Sequence, residues 1–488
     1  MDSHRYGSIA RPLFICISVF LFLAWTAGTA AGLSVDDERR IGKEFYEKLE
    51  RKGMLVTDSR VQKYITDLGE RILSQGGASP FDFTFTVIDN PGINAFATPG
   101  GYVYVYSGLI TLAEHENELA GVLAHEIAHV RARHIAQIIE KSGKVNIAAL
   151  AAILAGAFLG GGGEGTAAVA SLSLATAATL NLKYSREHEE EADLMGLSYL
   201  VSAGYDGKGM LDFLKIMRQH EYISNSVPSY FLTHPGTGDR IRYIDGLLQT
   251  RYRQGGSERI FNEFDRVQTI LELEKDNPES QLKYFQNRLD TDPDDVEGLY
   301  GSAVILDRLG RSAESGKYFK RALERSPDDP DIIRDRGISY FNKGDIQEAR
   351  TFLEHAHQLN ATDPKTLFYL GRTCEVFEEY PEALDLYRQY RDRMPADTDI
   401  YYNLAMVYGK MNDQPESHYN FGIYFKKQDK VKSAVFHFEE ALKHAPPESD
   451  LARDIKKGLD ALRSPDRSPH TDPAQKPESF RPNLFPGN

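Results

Sequence analysis

A chain of 488 residues has room for two or three domains, each with its own core. It is acidic, with 71 Asp and Glu against 57 Lys and Arg and a formal net charge of -14, which argues against nucleic acid as the main partner. Two cysteines, Cys16 and Cys374, exclude a cysteine-based zinc site.

The first segment reads as an export signal. Arg5 and Arg11 precede an apolar run from Leu13 to Trp25, and small residues follow in Ala27-Gly28-Thr29-Ala30-Ala31-Gly32. That order of basic, apolar and small residues predicts a secretory signal peptide over residues 1–31, cut after Ala30 or Ala31. The apolar run is too short to span a bilayer comfortably. Cys16 lies deep inside it behind Ile15, which does not suit a lipid-modified cysteine. The mature chain then keeps Cys374 alone and forms no internal disulfide.

A first folded domain is predicted over residues 34–255. Within it, Gly101-Tyr102-Val103-Tyr104-Val105-Tyr106 alternates aromatic and β-branched residues between glycine-bearing turns, which predicts a strand paired with Phe83 to Ile88. Two readings of it stand level. As an edge strand, Tyr102, Val103, Tyr104 and Val105 would hold an extended peptide substrate through the main chain. As a core strand it would only carry the domain.

The next element carries chemistry. His125-Glu126-Ile127-Ala128-His129 lies in a stretch from Val122 to Ile139 that neither Pro nor Gly interrupts, which predicts one helix. Residues four apart share a helix face, so His125 and His129 aim two imidazoles at one point, a spacing that suits zinc. Glu126 lies beside that point, where a carboxylate takes a proton from metal-bound water. The chemistry predicted is zinc-assisted hydrolysis of a peptide bond, with one zinc per chain. His134, five residues on in the same unbroken helix, would point off the zinc face.

An apolar zone follows, from Val145 to Leu182 around Gly160-Gly161-Gly162-Gly163-Glu164-Gly165. Each arm is shorter than a bilayer span, which predicts a helical hairpin whose apolar tip is open to contact with a membrane surface. The glycines lack the Gly-Lys-Ser/Thr ending of a phosphate loop, so nucleotide binding has no support. A second helix starting near Ser185 would bring Glu189 and Asp193 to one face, one turn apart. Glu189 suits the third ligand position there and Asp193 the free ring N–H of a zinc-bound histidine, although Glu187, Glu190 and Glu191 leave the choice open. Farther on, Thr233-His234-Pro235-Gly236 places one more histidine in a loop.

Beyond Gly246 a period of 34 sets in. Ala303, Gly337, Gly371 and Ala405 stand that far apart, as do Ser315, Ala349, Ala383 and Ser417, and as do Gly310 and Gly344. Small residues at helix crossings, with Pro293, Pro327, Pro330 and Pro364 at the breaks, describe tetratricopeptide (TPR) repeats, here over residues 262–463. After Ala405 the pattern of Gly422, Ala434 and Ala441 comes half a repeat early, which predicts one helix shared by two repeats. Such solenoids offer a concave surface to protein segments. Residues 464–488 hold six prolines and read as a disordered tail.

His-Glu-x-x-His, followed some sixty residues later by Glu189-Glu190-Glu191-Ala192-Asp193, resembles the HtpX and CAAX-prenyl-protease group of zinc peptidases. Within that group the chain is most similar to the periplasmic BepA-type proteins, which join such a protease to TPR repeats. Asn94-Ala95-Phe96-Ala97-Thr98-Pro99-Gly100-Gly101 and the Thr233-His234-Pro235 segment with Asp239-Arg240 match as well. The resemblance implies an α+β, mainly helical zincin metalloprotease domain followed by an all-α TPR solenoid. It implies Glu189 as third ligand and a place in the site for His234, as oxyanion stabiliser or as a cap on the open zinc position. It also implies a periplasmic endopeptidase acting on misfolded or unassembled envelope proteins, with the repeats binding clients or outer-membrane assembly machinery. A TPR chaperone or scaffold with a structural or rarely used zinc is the rival, and Glu126 counts against it, because a purely structural site has no need of a water-activating carboxylate. An integral membrane protease, resting on residues 145–182, is a third reading.

Overall fold

A computed structural model of the chain describes residues 33–141, 154, 183–224 and 229–463. The expected signal peptide, the tail from 464 and, apart from Leu154, the expected hairpin over 145–182 lie outside the described residues. Two compact units form, one ending at Asn262 and one beginning at Glu263. None of the described helices is long and apolar enough to cross a membrane.

The first unit opens with helices α1 (Val35–Arg51) and α2 (Ser59–Leu73). In α1 the buried positions Ile41, Phe45 and Leu49 recur every four residues, which makes one apolar face. Asp58 caps α2 by accepting from the amides of Arg60 and Val61. Three short strands follow, β1 (Thr84–Ile88), β2 (Ala95–Thr98) and β3 (Tyr102–Tyr106). β3 is the middle strand. It runs parallel to β1, with Thr84 opposite Tyr102, and antiparallel to β2, with Phe96 opposite Tyr104.

That order corrects the edge-strand reading of Tyr102, Val103, Tyr104 and Val105: both sides of β3 are taken by neighbours, and it is β2 whose far side has no further strand among the described residues. The expected pairing of β3 with the strand ending at Ile88 is present. Phe45, Phe96 and Tyr104 form the aromatic heart of this core, with ring centroids 5.0 to 6.0 Å apart, and Leu154 is buried in the same cluster.

α3 (Ser107–Leu112) leads to α4 (Glu116–Arg131), which is buried from Glu116 to Val130. The single helix expected over residues 122–139 is in fact two. α4 ends at Arg131, Arg133 takes a left-handed φ of 56°, and α5 (His134–Lys141) starts anew. The remaining helices are α6 (Arg186–Ser202), α7 (Lys208–Ser224), α8 (Ser229–Thr233) and α9 (Thr237–Thr250). Ser185 caps α6 by accepting from the His188 amide.

Among the described residues the second unit's regular elements are all helices. After α10 (Phe264–Leu273) and α11 (Pro278–Thr291) come the pairs α12 (Val296–Arg308) with α13 (Ser312–Arg325), α14 (Pro330–Lys343) with α15 (Ile346–Leu359), α16 (Pro364–Val376) with α17 (Tyr380–Arg393), and α18 (Asp399–Lys410) with α19 (Gln414–Lys427). α20 (Val431–His444) and α21 (Asp450–Arg463) close the array. Repeat chemistry shows at the caps, where Asp295, Asp329 and Asp363 each accept amides of the helix they start. Each turn inside a pair needs one left-handed residue. Gly310 and Gly344 supply it twice, and Glu378 and Asn412 take the same conformation one and two repeats later. The early register after Ala405 has its physical counterpart in α19, where Ser417 bonds back to Ala405 on α18 while Gly422 faces Phe438 on α20. One helix serves both neighbours.

Buried charge ties the repeats together. Arg266 on α10 pairs with Glu297, Asp329 and Asp331 at 2.8 Å each, and Arg334 on α14 pairs with Asp331 at 2.7 Å and Asp335 at 2.8 Å. Tyr300 donates to Asp335 at 2.6 Å.

Candidate metal centre

Four side chains from three segments converge inside the first unit. His125 and His129 come one turn apart from α4, Glu189 from the first turn of α6, and His234 from the residue after α8. Their ligand atoms all lie within 4.8 Å of one another, and all four are buried. His125 Nε2 lies 2.9 Å from His129 Nε2 and 3.3 Å from His234 Nδ1. Glu189 Oε1 lies 3.0 Å from His234 Nδ1 and 3.5 Å from His129 Nε2.

These residues fit a metal ion. His125 turns its other nitrogen, Nδ1, toward Asp193 Oδ1 at 2.9 Å. With the ring proton given to that carboxylate, Nε2 of His125 presents a lone pair to the nitrogen of His129. Nitrogens bound tetrahedrally at 2.0–2.1 Å from one zinc stand about 3.3 Å apart, close to the spacings here. Glu189 Oε2 is held by Arg240, which leaves Oε1 to face the histidine nitrogens, and His234 Nε2 is buried with no hydrogen-bond partner of ordinary geometry among the described residues.

Glu126 points to the same place from α4. Its Oε1 lies 3.5 Å from His234 Nε2, and neither carboxylate oxygen has a hydrogen-bond partner of ordinary geometry among the described residues. Burial pushes this carboxyl up to about 8, with the Glu189 charge adding to it, while His125, Arg240 and the amide of Ala97 pull the other way. His125 is raised to about 9: burial and Arg240 oppose its charge, and the hydrogen bonds to Asp193 and Glu189 outweigh them. Burial brings His234 down to about 4. For Glu189 burial works upward, yet Arg240 and His234 hold it well below the usual carboxylate range.

Arg240 is the residue that sequence reasoning passed over, although Asp239-Arg240 was part of the matching segment. It reaches in from α9, fully engaged. Its guanidinium donates to Asp193 at 2.8 and 2.7 Å and lies 2.6 Å from Glu189 Oε2. Two buried carboxylates demand a counter-charge, and that demand was the available signal. Aromatic rings complete the walls: Tyr184 stacks on His129 at 3.8 Å and Tyr230 on His234 at 4.2 Å. His134 also lies closer than its expected helix phase allows, with Nδ1 2.8 Å from Nδ1 of His129. Tyr102 to Val105 lie instead on β3, in the middle of the sheet. Glu114, His115 and Glu118 gather at the start of α4, where Glu118 already accepts the amides of Glu114 and His115.

With this geometry in hand, residues 59–248 match the model of peptidase family M48, and residues 272–330 match a tetratricopeptide repeat. The chain carries an M48 peptidase domain. Its relatives include the beta-barrel assembly-enhancing protease of Yersinia pestis, 35% identical over 218 residues, which are 44% of this chain and 45% of the relative. The protein of that name from Escherichia coli K12 is 33% identical over 214 residues, 43% of each chain. The mitochondrial metalloendopeptidase OMA1 of Schizosaccharomyces pombe is 31% identical over 219 residues, 44% of this chain and 62% of the relative. The chain thus spans less than half the length of the two bacterial relatives it matches. Among solved structures, the type IV pilus biogenesis factor PilW is similar at 16% identity and TM-score 0.32, over 41% of this chain and 94% of that one. M48 membership implies a metal ion for this domain, and the four-residue cluster fits one.

Proposed function

We propose that this chain is an exported, periplasmic zinc-dependent endopeptidase that hydrolyses peptide bonds of misfolded or unassembled envelope proteins. The observation that carries the reading is the meeting of His125, His129 and Glu189 at one buried point with the unpartnered carboxylate of Glu126 beside it. His125, His129 and Glu189 would hold one zinc, which when bound polarises the scissile carbonyl and acidifies a water. Glu126 takes the proton of the attacking water and returns it to the leaving amine. Asp193, held by Arg240, keeps His125 in the tautomer with Nε2 free.

Substrate binding passes to β2. Asn94 accepts from the Tyr106 amide, so in this antiparallel pair Phe96 and Thr98 also turn their main chain toward β3, and Ala95 and Ala97 turn theirs outward. An extended peptide pairing along this edge would lie beside Glu126, and the buried Ala95 and Ala97 would first have to be uncovered, with the Ala97 amide released from Glu126. The TPR unit would select clients or dock on outer-membrane assembly machinery, a role suggested by what the bacterial relatives are named for. Contact of residues 145–182 with a membrane surface belongs to the same proposal.

His234 supports a restrained enzyme. A catalytic zinc keeps an open fourth position, and Nδ1 of His234, 3.3 Å from His125 Nε2 and 3.0 Å from Glu189, would be near enough to cap it. Substrate entry then requires His234 to leave. This is also the observation that favours the rival reading, a chaperone or scaffold whose zinc is structural or rarely used. Cleavage of casein and of an unfolded outer-membrane β-barrel protein by the zinc-loaded chain separates the two. The expected result is cleavage that disappears in Glu126→Gln and rises several-fold in His234→Ala. Bound zinc without cleavage in any form would transfer the case to the chaperone.

A further inference from the structure

The helix carrying the two histidines stops two residues after the second, with no glycine or proline there to stop it. Arg133, at φ 56°, adopts a left-handed conformation that a residue with a Cβ takes only under constraint. Its guanidinium donates to Glu38 Oε1 and to the carbonyl of Leu33, at 2.6 Å each, which holds the turn in place. The consequence falls on the next residue. In a continuous helix His134 would stand roughly 140° around the axis from His129. The break swings it back.

His134 is wholly buried, its Nδ1 is 2.8 Å from His129 Nδ1, and its Nε2 is 3.2 Å from Glu191 Oε2. The ring of His188 stacks on it at 4.4 Å and 20°, fixing its plane. The protons can be placed by elimination. His129 turns Nε2 to the ligand point, so its proton sits on Nδ1 and is donated to His134 Nδ1. The proton of His134 then sits on Nε2, facing Glu191.

Resting on the metal-centre reading above, we infer that His134 is a positioning residue for zinc binding: it fixes the tautomer and ring orientation of His129, with Glu191 behind it. Each histidine ligand then ends on a carboxylate, His125 directly on Asp193 and His129 through His134 on Glu191. Glu191 is the weaker link, because its side chain is 57% exposed.

The test reads metal affinity and not turnover. Zinc alone is titrated into the full chain against a chromophoric chelator, and the visible spectrum of the cobalt(II) form is recorded, all in the Glu126→Gln background. His134→Phe keeps the stack and loses the acceptor, so zinc affinity should fall about 10- to 100-fold and the cobalt spectrum should change. His134→Gln restores an acceptor and should recover to within about threefold of the parent, with Glu191→Gln weakening binding less than His134→Phe does. An affinity for His134→Phe within about threefold of the parent overturns the inference while leaving the peptidase reading intact. So does a His134→Gln as weak as His134→Phe, since packing alone would then explain both. A parent that binds no zinc removes the metal centre itself, and the relay with it.

Discussion

Gly196→Ala should separate metal binding from folding. Gly196 lies on α6 seven residues after Glu189, within about 20° of the same helix face. An added Cβ would sit 3.0 Å from the carbonyl oxygen of Ala124 and from the amide nitrogen of His125, on the helix that bears the other two ligands. Ordinary contact begins near 3.4 Å, so α6 must retreat from α4 by about 0.4 Å. Ligand distances tolerate only about 0.2 Å, so zinc affinity should fall by about tenfold or more. Stability should fall by no more than about 2 kcal/mol: overpacking costs about 1–3 kcal/mol, and replacing glycine by alanine inside a helix returns about 1. Chelator competition measures the first quantity, and urea unfolding of the metal-free protein the second. Zinc affinity within about twofold of wild type would refute the claim that this helix contact sets the position of Glu189.

Three further outcomes follow from the same geometry. Arg240→Met leaves Glu189 and Asp193 buried without their cation, so the metal-free protein should lose about 3–5 kcal/mol. Thermal unfolding with and without zinc should show the loss shrinking when the metal is present, and an equal loss in both forms would count against the charge argument. Glu378→Gly relieves about 1–2 kcal/mol of left-handed strain against about 0.5–1 of added chain entropy, so urea unfolding of the repeats should show a net gain of about 0.5–1. In the buried network burial acts to raise Asp335, but Arg334 and Lys365 hold it well below the usual carboxylate range. A carboxyl depressed on folding stabilises fully above its unfolded value, about 3.9, and loses that contribution only as pH falls below it. The stability gap between wild type and Asp335→Asn, read by urea unfolding, should therefore stay level from about pH 7 to 5 and narrow only below about pH 4. A gap that closes above pH 5 would contradict it.

How far the site could be read from the chain depended on whether a residue's place is set locally. His125, Glu126 and His129 sit at fixed helical spacing, and Glu189 with Asp193 repeats that logic on a second helix, so periodicity aligned each pair, while the family resemblance chose Glu189 over Glu187, Glu190 and Glu191. The repeats announced themselves through a fixed period in the small residues. What stayed hidden was set by distant contacts. β3 alternates the same way in the middle of a sheet as at its edge, and only the return of β2 onto it decides the question. The break at Arg133 has no glycine to announce it, because it is held from Glu38 and Leu33 in another segment. Arg240 is unremarkable in sequence until Glu189 and Asp193 are seen on either side of it. Glu378 stands where the repeat would have glycine, and its left-handed turn shows only in the backbone.

In the proposed site Glu189 closes the ligand set of His125 and His129, while Glu126 works beside the metal without holding it. Zinc dissociation constants for wild type, Glu126→Gln and Glu189→Gln test this most directly. One zinc per chain at similar affinity is expected for wild type and Glu126→Gln, and a loss of about 100-fold or more for Glu189→Gln, since a ligand outweighs the residues behind it. Wild-type affinity in Glu189→Gln, or its loss in Glu126→Gln, would contradict it.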